Sequence, residues 1–440
     1  MHVDRMKTRL CTLLFAVGLS LASAVALSGP KIVSWVTSNG VRAMYVHAPQ
    51  IPMVEIRVMF DAGAARDGRL PGLATLVNKI SIMGAAGKTA NQLAESFESV
   101  GAKQNQGALR DSAWYSLKSL SEEKYLSRAV QTLAKIVTSP DFNKADIERE
   151  RKRALIKLKR KLQSPKHVAK RALYKAVFGQ HPYAAMPDGT MAGVKAISRK
   201  DLVRFHKKYY VGRNAVVAVV GAVDEQRARK LVDQLTGKLP AGAPAPVLPP
   251  VKPLTEAKTI RINHPSTQTH ILFGQTGVRR GHPDYFALYL ANHVLGGNGL
   301  VSRLSEEVRE KRGLAYSVYS YFLPMRRKGL YTMGMQTKND KADEGVKVMR
   351  DVLADYLAKG MTKKEFIASK KNITGGFALR IDSNNKVAEY LAMIGFYRLP
   401  VTWLDDFPEK INALTLEQAN QTFQRYVNPG KMVTVIVGGK

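Results

Sequence analysis

The chain has 440 residues, of which 45% are hydrophobic and 23% are charged, and this composition excludes a disordered, collagen-like or coiled-coil protein. Its single cysteine excludes a disulfide framework and any cysteine-ligated zinc or iron–sulfur site. Lys and Arg outnumber Asp and Glu by 68 to 35, and the net charge of +33 attracts anions such as nucleic acid, acidic lipid headgroups, acidic peptides or an acidic partner protein.

The N-terminal segment has the pattern of a secretory signal peptide. Arg5, Lys7 and Arg9 precede a short apolar stretch, and the small-residue sequences ASA and AVA follow at positions 22–24 and 24–26. We predict export to the periplasm with removal of residues 1–26. The alternative is an uncleaved N-terminal membrane anchor, because the uncharged stretch is nearly long enough to span a bilayer.

Downstream of this segment, the apolar pattern predicts an α+β protein. Residues 54–60 and 112–120 have the pattern of strands. Residues 71–83 have apolar side chains at helical spacing, and residues 144–162 have the pattern of a long charged helix. We predict long helices packed on one side of mainly antiparallel sheets.

A proline-rich segment separates two halves that resemble each other. Six of the fourteen residues from 240 to 253 are proline, which favours a semi-rigid linker at 239–256 between domains at 27–238 and 257–440. Tyr209 aligns with Tyr426 and Gly221 with Gly438 at one offset of 217 residues. Each pair lies in the same order of helix, turn and β-branched strand, which indicates an internal duplication.

Three stretches of the chain resemble a known family. They are FDAGAARDGRLPGLATLVNKISIMGAAGKTANQLAESFESVGAKQNQGALRDSAWYSL, FGQHPYAAMPDGTMAGVKAISRKDLVRFHKKYYVGRNAVVAVVGAVD and NGLVSRLSEEVREKRGLAYSVYSYF. They are similar to the pitrilysin-type metallopeptidases, the inverted zincins related to mitochondrial processing peptidase. The resemblance implies two homologous halves, each a mainly antiparallel sheet covered by long helices, which form a clam-like chamber.

The zinc ligands of that family are missing. Active members carry H-x-x-E-H on the first helix, where two histidines bind zinc and the glutamate acts as general base. The matching residues are Thr75, Asn78 and Lys79, and the third ligand, a glutamate in a later charged helix, aligns with Ile156 or Lys157. A hydroxyl, an amide and ammonium groups do not replace these ligands. The resemblance therefore predicts no metal in this chain and zinc in a partner subunit.

The nine histidines offer no obvious substitute site. None is paired with another at a four-residue spacing. His264 and His270 are six residues apart on a predicted strand and could share a face, although a structural role is favoured for each. His181, in an H-P-Y turn typical of the family, is also predicted to be structural. The sequence contains no G-x-S-x-G elbow, P-loop or dinucleotide fingerprint.

The second half retains two residues of the family's C-terminal signature. In active relatives an arginine and a tyrosine at this spacing hold the substrate backbone and the developing oxyanion, which implies this catalytic role for Arg309 and Tyr316 in the sequence REKRGLAY. Gly313 lies between them and predicts the end of a helix. Without the resemblance, the two residues would be interpreted as a solvated arginine at a helix end and a strand tyrosine.

The sequence GAKQNQG at 101–107 resembles an edge strand that binds extended peptides in the family. This resemblance predicts that Asn105, Gln106 and Gly107 contact a peptide substrate by strand addition. An ordinary sheet edge without a ligand is an equally good interpretation.

Basic residues are concentrated in the predicted long helix, where eight of the thirteen residues from 149 to 161 are Lys or Arg. Such a run is usually a solvated helix face. In relatives one face of this helix lines the chamber, so we predict that Lys79 and Lys157 stand in the place of zinc and give the chamber a cationic wall. That wall would attract acidic peptides or an acidic partner.

The leading functional hypothesis is a non-catalytic subunit of a periplasmic zinc metallopeptidase. Its partner would be a similar chain that bears H-x-x-E-H, in a heterodimer that acts on a peptide substrate; a homodimer in isolation is also possible. The alternative is a degenerate peptidase scaffold that binds acidic peptides or other polyanions. Nucleic acid is not expected as a partner, because only 8% of the residues are aromatic and the chain is predicted to be exported.

Overall fold

The structure, a computed structural model, describes residues 30–439. The predicted signal peptide, residues 1–26, lies outside the described residues. Within residues 30–439, no helix has the length and apolar character needed to cross a bilayer. The described chain forms two α+β halves, each built on one mainly antiparallel sheet, which confirms the predicted fold class.

The first half contains a six-stranded sheet, a two-stranded ribbon and eight helices. The strands are β1 (Val33–Val36), β2 (Arg42–His47), β3 (Met53–Phe60), β4 (Gly84–Ala85), β5 (Lys88–Thr89), β6 (Lys103–Ala108), β7 (Ala113–Leu120) and β8 (Ala215–Gly221). The helices are α1 (Leu73–Ile80), α2 (Ala90–Glu98), α3 (Glu123–Thr138), α4 (Lys144–Leu162), α5 (Pro165–Phe178), α6 (Met191–Ala196), α7 (Arg199–Tyr209) and α8 (Glu225–Thr236). The sheet order is β1-β2-β8-β3-β7-β6, and β2 with β8 is its parallel pair.

The second half contains a five-stranded sheet and six helices. Its strands are β9 (Lys258–Asn263), β10 (Ser266–Thr276), β11 (Val318–Leu323), β12 (Leu330–Lys338) and β13 (Val433–Gly439). Its helices are α9 (Tyr285–Asn292), α10 (Ala342–Lys359), α11 (Lys363–Gly375), α12 (Asn384–Tyr397), α13 (Trp403–Ala413) and α14 (Leu416–Tyr426). The sheet order is β11-β12-β10-β13-β9, and β13 with β9 is its parallel pair.

Most of the predicted elements are present, with two differences. The strands predicted at 54–60 and 112–120 are β3 and β7, and the helix predicted at 144–162 is α4. The first predicted helix, 71–83, is shorter, because Gly72 adopts a φ of +105° and the helix begins only at Leu73. The prediction that His264 and His270 share one strand is wrong, since His264 lies in the turn between the antiparallel strands β9 and β10.

The internal duplication is confirmed by the corresponding elements of the two halves. Helix α7 ends at Tyr209 and α14 at Tyr426, and each is followed by a short 3₁₀ turn and then by the central strand β8 or β13. Both central strands carry β-branched residues in succession, because both of their faces are buried.

The second face of each sheet is covered by a helix that belongs to the other half of the chain. In β8, Val217 and Val219 face the core of the first half, whereas Val216 and Val220 face a core shared with α12. Helix α12 approaches β8 closely at Gly395, where a Cβ atom would lie 2.6 Å from a methyl carbon of Val216. In return, α5 of the first half packs against β10 and β13. The sequence predicts helices on one side of each sheet, and the structure adds this exchange on the second side.

The predicted linker is a strap that packs along both halves. Residues 240–254 contain no helix or strand. The Gly212 N–H donates to the Pro240 carbonyl oxygen at 2.8 Å, and the Arg327 guanidinium donates to the Leu248 carbonyl oxygen at 2.6 Å. Leu248 and Val251 are buried in the core that contains α5. The linker therefore joins the first half to the second along its length.

The helix exchange predicts that the two halves stay together when the linker is cut. The cut can be made at a protease recognition sequence inserted after Val247. This residue is 82% exposed, so the site is open to a protease. Because separation would uncover the apolar faces of β8 and β13, we expect both fragments to elute as one particle in size-exclusion chromatography. Elution as two separate fragments would contradict the exchange, and the uncleaved insertion variant is the control.

Candidate functional site

A cavity of about 660 Å³ lies between the two halves. Helices α1, α4 and α5, strand β6 and the loop after it form its wall from the first half, and the loop after β11 with the end of α12 forms its wall from the second. Its basic and acidic lining residues are Lys79, Arg110, Asp111, Lys157, Lys161, Lys170, Asp188 and Arg280. Six of these side chains are basic and two are carboxylic acids, so the cavity is cationic.

A buried carboxylate fixes the start of α1, the helix that carries the first matched motif. Asp67 accepts hydrogen bonds from the Gly72 and Ala74 N–H groups, each at 2.7 Å. These donors satisfy two of the free N–H groups at the helix start. Burial raises the pKa of Asp67 to about 7, although both backbone donors act to lower it. The helix then presents Thr75 and Lys79, four residues apart, to the cavity.

A tight loop against α1 brings an acidic residue into the cavity. Gly189 has a φ of +77°, and a Cβ atom there would lie 2.2 Å from the Pro71 carbonyl oxygen, so only glycine fits. This close approach places the Pro187 carbonyl beside α1, where it accepts a hydrogen bond from the Thr75 hydroxyl. Asp188 consequently lines the cavity.

The residues that match the family's H-x-x-E-H motif do not fit zinc or its general base. The Thr75 hydroxyl is bonded to a backbone carbonyl, and the Asn78 amide, 1% exposed, donates to the Trp114 carbonyl oxygen at 3.3 Å. Lys79 matches the second histidine of the motif, and the positive charge of its ammonium repels a divalent cation. Among residues 30–439 no cluster of three or more His, Cys, Asp or Glu side chains could hold a metal ion.

The two predicted wall lysines face the same cavity. Both Lys79 and Lys157 line it, whereas Ile156 is 55% exposed and does not. Burial lowers the pKa of Lys79, and the positive charge of Lys157 lowers it further. Of the two residues that align with the family's third ligand, Lys157 and not Ile156 therefore faces the cavity.

One carboxylate already binds a lysine in this cavity. The Lys161 Nζ lies 2.5 Å from the Asp188 Oδ2, and the second oxygen of Asp188 is buried without a hydrogen-bond partner among the described residues. Within residues 30–439, neither Lys79, Lys157 nor Lys170 has a carboxylate within 4.0 Å of its ammonium nitrogen. The cavity therefore has more ammonium groups than carboxylates to neutralise them.

Asp111 holds the two halves together beside the cavity. It is 4% exposed and accepts hydrogen bonds from the Tyr183 hydroxyl at 2.6 Å, the Arg326 N–H at 2.7 Å and the Tyr397 hydroxyl at 3.1 Å. Tyr183 belongs to the first half, whereas Arg326 and Tyr397 belong to the second. Burial raises the pKa of Tyr397, and the charge of Asp111 raises it further, so that the phenol remains a donor.

The predicted peptide-binding segment is an edge strand. Strand β6 pairs with β7 and has no second neighbour among the described strands. Gln106 and Gly107 line the cavity, whereas Asn105 is exposed and lies outside it. The edge strand thus borders the cationic cavity, and binding of a peptide to it stays a prediction.

Arg309 and Tyr316 lie together on the surface and do not line this cavity. The Arg309 guanidinium carbon is 5.3 Å from the centre of the Tyr316 ring. Tyr316 is 88% exposed, and Arg309 has an ion pair of 3.5 Å with its neighbour Glu310. Gly313, with a φ of +58°, turns the chain between the two residues, which confirms that the preceding helix does not continue to Tyr316.

Sequence reasoning missed several cavity residues, namely Lys161, Lys170, Asp188, Arg280 and Tyr397. Lys161 belongs to the basic run of α4, and that run was the available signal for it. The other residues reach the cavity through loops and through the exchanged helices α5 and α12, and no sequence spacing signals these approaches.

Comparisons with known proteins agree with this geometry. A family model described as "Insulinase (Peptidase family M16)" matches residues 42–187, and one described as "Peptidase M16 inactive domain" matches residues 196–373. An uncharacterized zinc protease, YmxG, of Bacillus subtilis (strain 168) is 26% identical over 387 residues, covering 87% of this chain and 92% of the relative.

Two solved structures show the same fold. The crystal structure of a peptidase M16 inactive domain from Pseudomonas fluorescens has a TM-score of 0.90 and 35% identity, and the match covers 93% of this chain and 98% of that one. A protease from Helicobacter pylori has a TM-score of 0.86 and 20% identity, covering 93% and 100% of the two chains, and it supports the fold alone.

Replacement of Lys79, whose charge is disfavoured by burial and by Lys157, is predicted to stabilise the protein. Because burial and Lys157 disfavour its charged form, Lys79→Met should raise the free energy of unfolding at neutral pH by about 0.5–1 kcal/mol. Chemical denaturation measures this change. The gain should shrink as the pH rises through the lowered pKa of Lys79 towards 10.5, since the wild-type folded state then loses the unfavourable proton.

The matched control is Lys152→Met, which removes one charge from an exposed position of α4 outside the cavity. We expect a change within about 0.5 kcal/mol for this variant. A loss of stability in Lys79→Met would contradict the assigned repulsion.

Proposed function

We propose that this chain, which belongs to peptidase family M16, is a non-catalytic subunit of a zinc metallopeptidase and acts with a similar chain that carries H-x-x-E-H. The observation that carries the proposal is the combination of a metal site that does not fit zinc with a retained, exposed Arg309–Tyr316 pair. Zinc and hydrolysis would belong to the partner.

The role of the pair follows from the chemistry of its two side chains. The guanidinium of Arg309 is a permanent cation with forked donors, suited to a peptide carbonyl or an oxyanion. The phenol of Tyr316 donates a hydrogen bond to an oxyanion without having to ionise. Since Tyr316 is 88% exposed and Arg309 is half-buried beside it, the phenol and part of the guanidinium are open to a site on another subunit.

The compartment is part of the same proposal. The basic head, apolar stretch and small residues of positions 1–26 support export to the periplasm, with an N-terminal membrane anchor as the alternative. Together with the partner, the chain would form a heterodimer around a peptide substrate.

A second candidate function is a binding protein for acidic peptides or other polyanions. The cationic cavity beside the edge strand favours it, as does the net charge of +33. The two functions differ in one readout, because the binding protein needs no second chain, whereas the subunit produces activity only with its partner.

The subunit role predicts activity only in the mixture. Purified alone, the chain should not cleave unfolded peptides, and addition of the H-x-x-E-H chain should give cleavage. In the mixture, Arg309→Ala or Tyr316→Phe should lower kcat by up to roughly a thousand-fold, since loss of an oxyanion donor typically costs about a hundred- to a thousand-fold. The measurement is the initial rate on a quenched fluorescent peptide.

The matched control is Arg312→Ala, which removes an exposed arginine of the same loop that is bonded to Glu307. This variant should keep the rate of the wild-type mixture. Full activity of both Arg309→Ala and Tyr316→Phe would refute their role, and chelator-sensitive cleavage by the chain alone would refute the non-catalytic assignment.

Metal content gives an independent test of the degenerate site. After removal of metal with a chelator, incubation with zinc and dialysis against metal-free buffer, elemental analysis should find no stoichiometric zinc, because neither Thr75 nor Lys79 is a suitable ligand. One tightly held zinc per chain would overturn the proposal.

A further inference from the structure

The cationic cavity lies directly beside the free edge of β6. Helix α1, which carries Lys79, packs against β6, and Gln106 and Gly107 of that strand line the same cavity as Lys79 and Lys157. A peptide that adds to an edge strand lies about 4.8 Å from it and directs alternate side chains to the two faces of the sheet. One of these faces carries α1, so a side chain of such a peptide would point towards the ammonium groups.

Part of the positive charge of this cavity has no acidic partner in direct contact. Asp111 accepts hydrogen bonds from Tyr183, Arg326 and Tyr397, and one oxygen of Asp188 is bonded to Lys161. The remaining ammonium groups, those of Lys79, Lys157 and Lys170, have no carboxylate within 4.0 Å in the described part of the chain. Lys79 is half-buried, so its charge is screened less than one on an open surface, whereas Lys157 and Lys170 are exposed and add positive charge at the cavity wall.

The cavity also shows which anion it can accommodate. The contact between Lys161 and Asp188 places a carboxylate against this lysine cluster with 2.5 Å between nitrogen and oxygen. Asp188 acts on the neighbouring charges as well, because its carboxylate counteracts the lowering of the Lys79 pKa. A second carboxylate between Lys79 and Lys157 would relieve the repulsion between these two side chains in the same way.

We propose that Lys79, Lys157 and Lys170 form a carboxylate-binding subsite for an extended peptide whose backbone pairs with β6. This proposal rests on the proposed function, because it takes a peptide as the ligand. It adds that the peptide carries a carboxylate. The carboxylate comes from an Asp or Glu side chain or from the C-terminus of the peptide, which share the same chemistry. The substitutions that exclude zinc thus supply the charges that select the ligand.

Binding of short fluorescent peptides to the chain without residues 1–26, the predicted signal peptide, tests the subsite. The first peptide is rich in Thr and Val, carries one central Glu and is blocked at both ends; the second has Gln in place of Glu; the third has this Gln but a free C-terminal carboxylate. Fluorescence anisotropy at low salt should give a Kd for the Glu peptide at least about tenfold below that of the blocked Gln peptide. Preference for the third peptide alone would assign the subsite to the chain end.

Two double variants separate the subsite from the overall charge. Lys79→Met with Lys157→Met should abolish the preference for the carboxylate. Lys152→Met with Lys159→Met removes the same charge from exposed positions of α4 outside the cavity and should preserve the preference. Thermal unfolding checks that each variant is folded. An equal loss in both double variants, or no preference for either carboxylate, would overturn the proposal.

Backbone pairing has its own readout. Methylation of alternate amide nitrogens removes the donors that strand addition needs, and it should weaken binding of the Glu peptide when the methylated edge faces β6. Unchanged binding with either set of amides methylated would overturn the pairing with β6. All these measurements use the chain alone, so a negative result leaves the subunit proposal intact. An inactive mixture with the partner would refute the subunit role, and it would leave the peptide-binding results unchanged.

Discussion

The reciprocal packing of α5 and α12 is the constraint on which the rest of the structure depends. Each central strand is apolar on both faces, so neither sheet is complete until the other half supplies a helix. Moving the halves apart would expose Val216, Val220 and Leu391 to water, at a cost of about 25 cal/mol for each Å² of apolar surface. This packing therefore sets the distance between the two walls of the cavity.

Polar contacts reinforce this constraint at the cavity wall. Asp111 can be buried only because donors from both halves satisfy it, and removal of any one donor would leave a buried charge less well compensated. The contacts of Asp111 and of one oxygen of Asp188 are thus structural. The lysines differ, since Lys79 and Lys157 repel each other and, among the described residues, neither has a carboxylate within 4.0 Å of its ammonium, although the charges of Glu150 and Asp188 partly offset the repulsion at Lys79.

The sequence predicts the elements better than it predicts their neighbours. The strand β8 follows from its run of β-branched residues and the helix α4 from its charged pattern, and the loss of both histidine ligands and of the general base follows from Thr75, Lys79 and Asn78. The helix exchange could not be predicted, because periodicity shows that a face is buried but not which segment covers it. Asp188 was missed because it reaches the cavity through the turn at Gly189, and the choice between Ile156 and Lys157 required the packing of a helix that carries charges all round.

An ammonium at a former metal position removes one property of the metal and retains another. Zinc is a Lewis acid and a positive charge, whereas a lysine side chain is a positive charge only. Lys79 and Lys157 therefore give the cavity wall a positive charge, and the residues that match H-x-x-E-H offer zinc no suitable ligand. Arg309 and Tyr316 fit the same division, because they can stabilise negative charge but cannot create a nucleophile. Under the proposed function these residues would recognise a peptide without hydrolysing it, which is the property that a non-catalytic subunit needs when another chain carries the metal.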